Sequence, residues 1–401
     1  MALIIQKFGG SSLADAEKLR RVAKRVVAQK SQGNDVVAVV SAQGDFTDEL
    51  IAKAKELTDI PPKRELDFVM SAGEQISAGL LAMTLKNMGF GAVALTGWQS
   101  GFLTDSNHGR ARIRRLDTDR IELELSKGNI VIVTGFQGIN RYDDITTLGR
   151  GGSDTSAVAI AAALHADKCQ IFTDVDGVYT ADPRIVMNAQ KLKAISYDEM
   201  LELATLGAQV LHNRSVEMAK KYNVPLEVLS SIECQPGTIV KEVAKLEKML
   251  IKGIAKDDNV ARISIVGVQD VPGIAFKVFS LLAKINVNID IILQSIGRDN
   301  TKDITFTTAL PDMRTSMDIL NENKDLIGFT RIAADDNISK VSVVGAGMES
   351  NPGVASKVFE ALFEAGINIH MISTSEIKIS VLIDKEMGSK AVNAIHDIFE
   401  E

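Results

Sequence analysis

A lysine, two glycines and two serines, in Lys7-Phe8-Gly9-Gly10-Ser11-Ser12, follow residues 3–6, which are apolar or strand-compatible, and precede a stretch with helical periodicity at 13–29. This places the hexapeptide on a strand-to-helix turn. Glycine lets backbone approach a ligand closely, and the first N–H groups of a helix favour an anion. The upstream lysine adds a mobile positive charge, so the chemistry on offer is phosphate binding. An ordinary turn with Ser11 or Ser12 as helix N-cap would use the same residues. It is not a Walker A loop, because the lysine precedes the glycines.

Four further segments carry reactive or anion-binding types. Ser41-Ala42-Gln43-Gly44-Asp45, with Thr47 close behind, offers hydroxyls that position a polar substrate or cap a helix. Ser71-Ala72-Gly73-Glu74-Gln75 puts a carboxylate beside small residues, where it would hold an ammonium group or simply face solvent. Thr147-Leu148-Gly149-Arg150-Gly151-Gly152-Ser153-Asp154-Thr155 sets an arginine inside a glycine cluster before an alanine-rich helix. Arginine's planar fork matches a carboxylate or phosphate, and glycine amides add anion-binding capacity. Residues 173–184, TDVDGVYTADPR, join an acidic turn to Tyr179, suited to flanking a purine, and Arg184, suited to a phosphate. No Ser-His-Asp or Cys-His set stands out, and the five histidines form no ligand cluster. A site rich in phosphate-cradling groups and poor in nucleophiles suits phosphoryl transfer, where catalysis is mainly positioning and charge stabilisation.

These segments need a scaffold that gathers them. Up to about residue 232, β-branched runs at 35–42, 91–97, 129–136, 168–175 and 224–231 alternate with helical stretches such as 64–88 and 153–166. Strands apolar on both faces, separated by helices, indicate an α/β domain with a mostly parallel sheet sandwiched by helices, and ligands bind at the carboxyl ends of such strands. From about 250 onward a repeat appears. Arg262–Gly267 (RISIVG) matches Lys340–Gly345 (KVSVVG), and residues 271–292 match 351–372 at a constant offset. Each copy reads as a ferredoxin-like βαββαβ module. The expected organisation is a catalytic domain over 1–245, a first module over 250–335 and a second over 336–401, with strand exchange between the modules allowed.

The bulk numbers narrow the class. A chain of 401 residues needs two or three domains, and a net charge of −7 argues against a nucleic-acid partner. Cys169 and Cys234 form no closely spaced pair, which fits a reducing compartment. With no signal peptide, and with apolar runs too short or too interrupted for a membrane helix, the expectation is a cytoplasmic protein with no membrane partner.

Taken together, KFGGSS, VVSAQGD (39–45), SAGE (71–74), TGFQG (134–138), TLGRGGSDTSA (147–157), TDVDGVYTADPR and the tandem repeat resemble the aspartate kinases of the amino-acid kinase superfamily, of the monofunctional type regulated by ACT modules. The resemblance implies ATP-dependent phosphorylation of the L-aspartate β-carboxylate, with magnesium held mainly through the phosphates and no protein metal site. Lys7 and Asp154 would be catalytic. Lys7, Gly9, Gly10, Ser11, Thr173, Asp174, Tyr179, Asp182 and Arg184 would bind ATP; Ser41, Thr47, Glu74, Arg150, Gly151 and Gly152 would bind aspartate. Asp270, Asn288, Ile289, Asp290 and Gln294 would line one effector site, with Asn368, Ile369 and Ser375 at comparable places in the second copy. Lysine, threonine or both are the implied inhibitors, acting on a homo-oligomer that can include a shorter regulatory chain started internally near Met249. One departure stands out: Gln209 occupies the place of a lysine in many relatives. Two rival readings remain: another enzyme of the same superfamily, or an amino-acid sensor whose kinase domain has decayed.

Overall fold

The computed structural model describes all residues except 207–209, 243–250, 296–299, 346–347, 349–352 and 400–401, so Gln209 and Met249 lie outside the described residues. The chain forms two compact units, Met1–Thr180 with Gln190–Leu246, and Ala181–Ala189 with Glu247–Glu401.

The first unit is built on an eight-stranded sheet. Its order is Ala194–Ile195, Thr238–Val240, Leu226–Ser230, Lys168–Thr173, Leu3–Phe8, Asp35–Val40, Ile130–Thr134 and Ala92–Leu95. All neighbours run parallel except Leu226–Ser230 against Thr238–Val240. Val36 through Val40 and Ile130 through Val133 are buried without alternation, as two-sided coverage demands. Helix Ala16–Ser31 contributes Leu19, Val22, Ala23 and Val26 to the core, a helical stripe spaced three, one and three residues apart. Phe8 and Phe172, register partners on the two central strands, stack at 4.8 Å.

Two local expectations change. The glycine turn runs into a single 3-10 turn, Gly10–Ser12, and the long helix starts only at Ala16, capped by the Asp15 carboxylate accepting from Lys18 N at 2.8 Å. Neither Ser11 nor Ser12 caps it, and its N-terminus is filled by Asp15 rather than left for a ligand anion. The 64–88 stretch divides at Ser71 into helices Lys63–Met70 and Ala72–Asn87. By length and composition alone residues 63–87 could cross a membrane, but the stretch is interrupted at Ser71, half of its most apolar window is buried, and it contributes Ala78, Leu81, Ala82 and Leu85 to the sheet core. A second, small sheet of three- and four-residue strands (Ile113–Leu116, Phe102–Thr104, Gln137–Ile139, Ile145–Thr147) was not anticipated; runs this short show no period.

The second unit holds two four-stranded antiparallel sheets. One is ordered Ile289–Gln294, Thr301–Ala309, Val260–Gln269, Arg331–Asp335, and the other Gly253–Asp257, Ile338–Val344, Lys378–Asp384, Met371–Ser375. The Gly253–Asp257 strand thus joins the later repeat, pairing from Gly253 with Val344 to Asp257 with Lys340. Residues 181–189 also belong to this unit: Ala181 and Val186 are buried in the core with Val341, Val358 and Ile395, and Asn393 Nδ2 donates to the Ile185 carbonyl at 3.2 Å.

Candidate active site

Lys7 stands near the carboxyl end of the central strand, with its Nζ 2.7 Å from Asp154 Oδ1; the pair is close enough to be ionic, though not aligned as a hydrogen bond. Asp154 comes from the first turn of helix Gly152–Ala163, which begins on Gly151 in the left-handed conformation, φ 67°. The pairing spans two motifs that lie far apart in sequence. At the next strand, Ser41 N donates to the Phe8 carbonyl at 3.1 Å and Ser41 Oγ lies 3.0 Å from Ser153 Oγ.

Close backbone approach explains the glycines here. A Cβ on Gly10 would stand 2.7 Å from the Ala42 carbonyl oxygen and 2.9 Å from that of Gly44, and Gly44 N donates to Gly10 O at 2.9 Å. The KFGGSS and SAQGD turns are therefore locked together, and Lys7 Nζ lies over Gly9. Ser11 is exposed at the turn, and Thr47 is half-buried in the first turn of helix Phe46–Leu57.

Glu74 is the least ordinary group. It is 3% exposed, in the first turn of helix Ala72–Asn87, with Oε1 accepting from Ala42 N at 3.0 Å and Oε2 buried without a partner. Burial pushes its pKa up from 4.5 to about 8, against the smaller downward pull of the Ala42 amide. A buried carboxylate with one vacant oxygen calls for a cationic donor.

On the other side of Lys7, Thr173 and Asp174 end the Lys168–Thr173 strand, and Thr173 Oγ1 donates to Asp174 Oδ1 at 3.0 Å. Tyr179 donates its hydroxyl to Asp176 at 2.8 Å, and Lys191 Nζ bonds the other Asp176 oxygen at 3.0 Å and the Pro236 carbonyl at 2.9 Å. Desolvation raises the Asp176 pKa, but Lys191 and Tyr179 outweigh it and hold the carboxyl below its ordinary range. Asp182 and Arg184 are placed differently. They fall in the second unit, where they pair with each other at 2.7 Å and the arginine side chain is 88% exposed.

Arg150 is exposed between Gly149 and Gly151, both with positive φ. A Cβ on Gly151 would fall 2.1 Å from His212 Cγ, and one on Gly152 2.9 Å from the Phe136 ring. Sequence reasoning passed over Asp67, Lys191, His212 and Arg214. Arg214 alone left a trace, a cation in the first turn of a helix, where the helix dipole disfavours it.

The expected effector residues sit in the second unit. Asp270 pairs with Lys302 at 2.7 Å; the Asn288 carbonyl accepts from Thr308 Oγ1; Ile289 opens its strand. Asp290 pairs with the buried Lys340 at 2.6 Å. Gln294 lines a cavity of about 340 Å³ with Arg262, Ser264, Asp303, Thr305 and His370. Ile369 packs on the second module's core beside Asn368, while Ser375, at the end of its strand, is exposed.

Comparison with known proteins fits this geometry. Residues 2–230 match the amino acid kinase family, and residues 263–323 and 341–399 match the ACT domain. The chain is 52% identical over its full length to the aspartokinase of Mycolicibacterium smegmatis, covering 96% of that protein, and 50% identical to aspartokinase 2 of Bacillus subtilis, covering 98%. Among solved structures, Escherichia coli aspartokinase III in complex with aspartate and ADP aligns over the whole of both chains with a TM-score of 0.83 at 26% identity. The same enzyme in complex with lysine and aspartate gives 0.75. The chain is therefore a member of the aspartokinase family, a phosphotransferase made of an amino acid kinase domain followed by ACT domains.

Proposed function

We propose that the chain transfers the γ-phosphoryl group of ATP to the β-carboxylate of L-aspartate, giving an acyl phosphate and ADP. The observation that carries this reading is Glu74: a buried carboxylate with an unpartnered oxygen, on the same turn system as Lys7, matches the ammonium group of an amino acid. Arg150 takes the α-carboxylate, with the Gly151 and Gly152 amides, Ser41 and Thr47 closing the pocket. The β-carboxylate needs no general base, since it is ionised well above its pKa near 4. Its oxygen attacks phosphorus in line as the bond to the ADP oxygen breaks. Lys7 neutralises the charge that spreads over the transferring group, and Asp154 holds the Lys7 ammonium in place as its ion-pair partner.

Gly9, Gly10 and Ser11 approach the phosphates, and Thr173, Asp174 and Tyr179 hold the nucleotide. Magnesium would ride on the phosphates, where it would supply charge neutralisation. Lysine, threonine or both inhibit through the ACT domains, at Asp270, Asn288, Ile289, Asp290 and Gln294 and at Asn368, Ile369 and Ser375, in an oligomeric cytoplasmic enzyme. The solved relative holding lysine supports that regulation.

The test is a steady-state assay with Mg-ATP and L-aspartate, trapping the acyl phosphate with hydroxylamine, alone and with lysine, threonine and both. Hydroxamate from aspartate and none from glutamate is expected. A folded, ATP-binding protein that forms none would overturn the reading in favour of a sensor.

A further inference from the structure

The loop carrying Arg150 is gripped from two sides by a buried and a half-buried charge that the reaction itself does not use. Asp67, 0% exposed on helix Lys63–Met70, accepts from Thr147 N at 3.0 Å, Thr147 Oγ1 at 2.6 Å and Gly109 N at 2.9 Å, with His108 Nδ1 at 3.1 Å. Arg214, in the first turn of helix Asn213–Tyr222, donates from Nη1 to the Leu148 carbonyl at 2.7 Å and from Nη2 to the Ala111 carbonyl at 3.1 Å. Ala111 N in turn donates to the Thr147 carbonyl at 2.9 Å. Two consecutive residues, Thr147 and Leu148, are thus held by an anion and a cation, just before Arg150. His212, the residue capping the Arg214 helix, fills the space against Gly151 just after it.

Neither charge is where secondary structure alone would put it. A half-buried arginine at a helix N-terminus opposes the helix dipole, and directing its fork at two carbonyls gives up the stronger pairing with a carboxylate. A fully buried carboxylate whose partners are two loop amides, a hydroxyl and the His108 ring likewise bears a desolvation cost. Local rules are broken in this way where function requires a fixed geometry.

We propose that Asp67 and Arg214 are positioning residues that together fix the 147–151 loop, so that the Arg150 fork and the following glycine amides meet the α-carboxylate of the amino-acid substrate. This rests on the substrate role given to Arg150 above. Because the clamp acts through Arg150 and not on the phosphates, it governs the amino acid selectively. The variants Arg214→Lys, Asp67→Asn, their double and Arg150→Ala are compared by steady-state kinetics, with thermal melting as control. Arg214→Lys keeps the charge but loses the two-pronged geometry.

The expected result is a KM for aspartate raised at least tenfold in each single variant, with KM for ATP within twofold and kcat within about threefold. The double variant should fall short of the product of the singles, since both act on one loop. An unchanged aspartate KM in folded Arg214→Lys and Asp67→Asn would overturn the clamp, as would both KM values rising together with lost stability. Should one variant fail to fold, the other decides alone. If Arg150→Ala leaves the aspartate KM intact, the carboxylate role of Arg150 falls; if it raises KM while the clamp variants do not, only the clamp falls.

Discussion

Replacing Glu74 by glutamine tests the substrate site and the fold in one experiment. In the free protein the carboxyl titrates near 8 rather than 4.5, so the folded state keeps a proton that the unfolded chain releases. A group raised in this way adds stability in full below pH 4.5, and that stability drains away as pH rises toward 8. At about 1.36 kcal/mol per pH unit over this window, the unliganded protein should lose on the order of 3 kcal/mol between pH 5 and pH 8 through Glu74 alone. Glutamine keeps the bond from Ala42 N but cannot ionise, so this part of the pH dependence should vanish. Its buried amide N–H₂ lacks a partner and costs roughly 1–3 kcal/mol at every pH, so the variant should be less stable at pH 5 and comparable or more stable at pH 8. Binding moves the other way. An amino acid's ammonium needs the ionised carboxylate, so kcat/KM for aspartate should climb about tenfold per pH unit up to about 8 and then level. In the variant it should be flat and roughly 10²–10³-fold lower, the cost of breaking a buried charge pair. Urea unfolding at pH 5, 6.5 and 8, paired with kcat/KM profiles, reads both effects. A variant that keeps the wild-type slope and aspartate KM would refute the assignment of Glu74.

Three other outcomes are expected. Lys7→Ala should lower kcat by about 10²–10³-fold or more while circular dichroism and melting show a retained fold, because in the proposed mechanism the lysine stabilises charge that develops only in the transition state; near-normal kcat would remove Lys7 from the mechanism. Gly10→Ala forces a methyl to within 3 Å of two carbonyl oxygens, so it should cost about 1–3 kcal/mol in denaturant unfolding and raise KM for ATP more than for aspartate. Asp290→Asn leaves the buried Lys340 with Asp257, 3.6 Å away, as its one carboxylate partner among the described residues, and should destabilise the second unit by about 1–3 kcal/mol, seen as an earlier urea transition.

The sequence by itself determined what periodicity and composition can carry. Strands buried on both faces announced the parallel sheet, the offset repeat announced the duplicated module, and glycines beside charged residues marked the turns where Lys7, Glu74, Arg150 and Asp154 stand. Tertiary structure decided the pairings. That Lys7 meets Asp154, that Gly10 abuts Ala42, and that Glu74 is desolvated enough to hold its proton all depend on residues brought together across crossovers, which no local pattern encodes. The same reason hid Asp67 and Arg214, whose partners are backbone groups of distant loops. It also explains why Gly253–Asp257 pairs with the later repeat and why residues 181–189 belong to the second unit: short apolar segments go wherever a buried surface is open to them, and sequence adjacency has no vote.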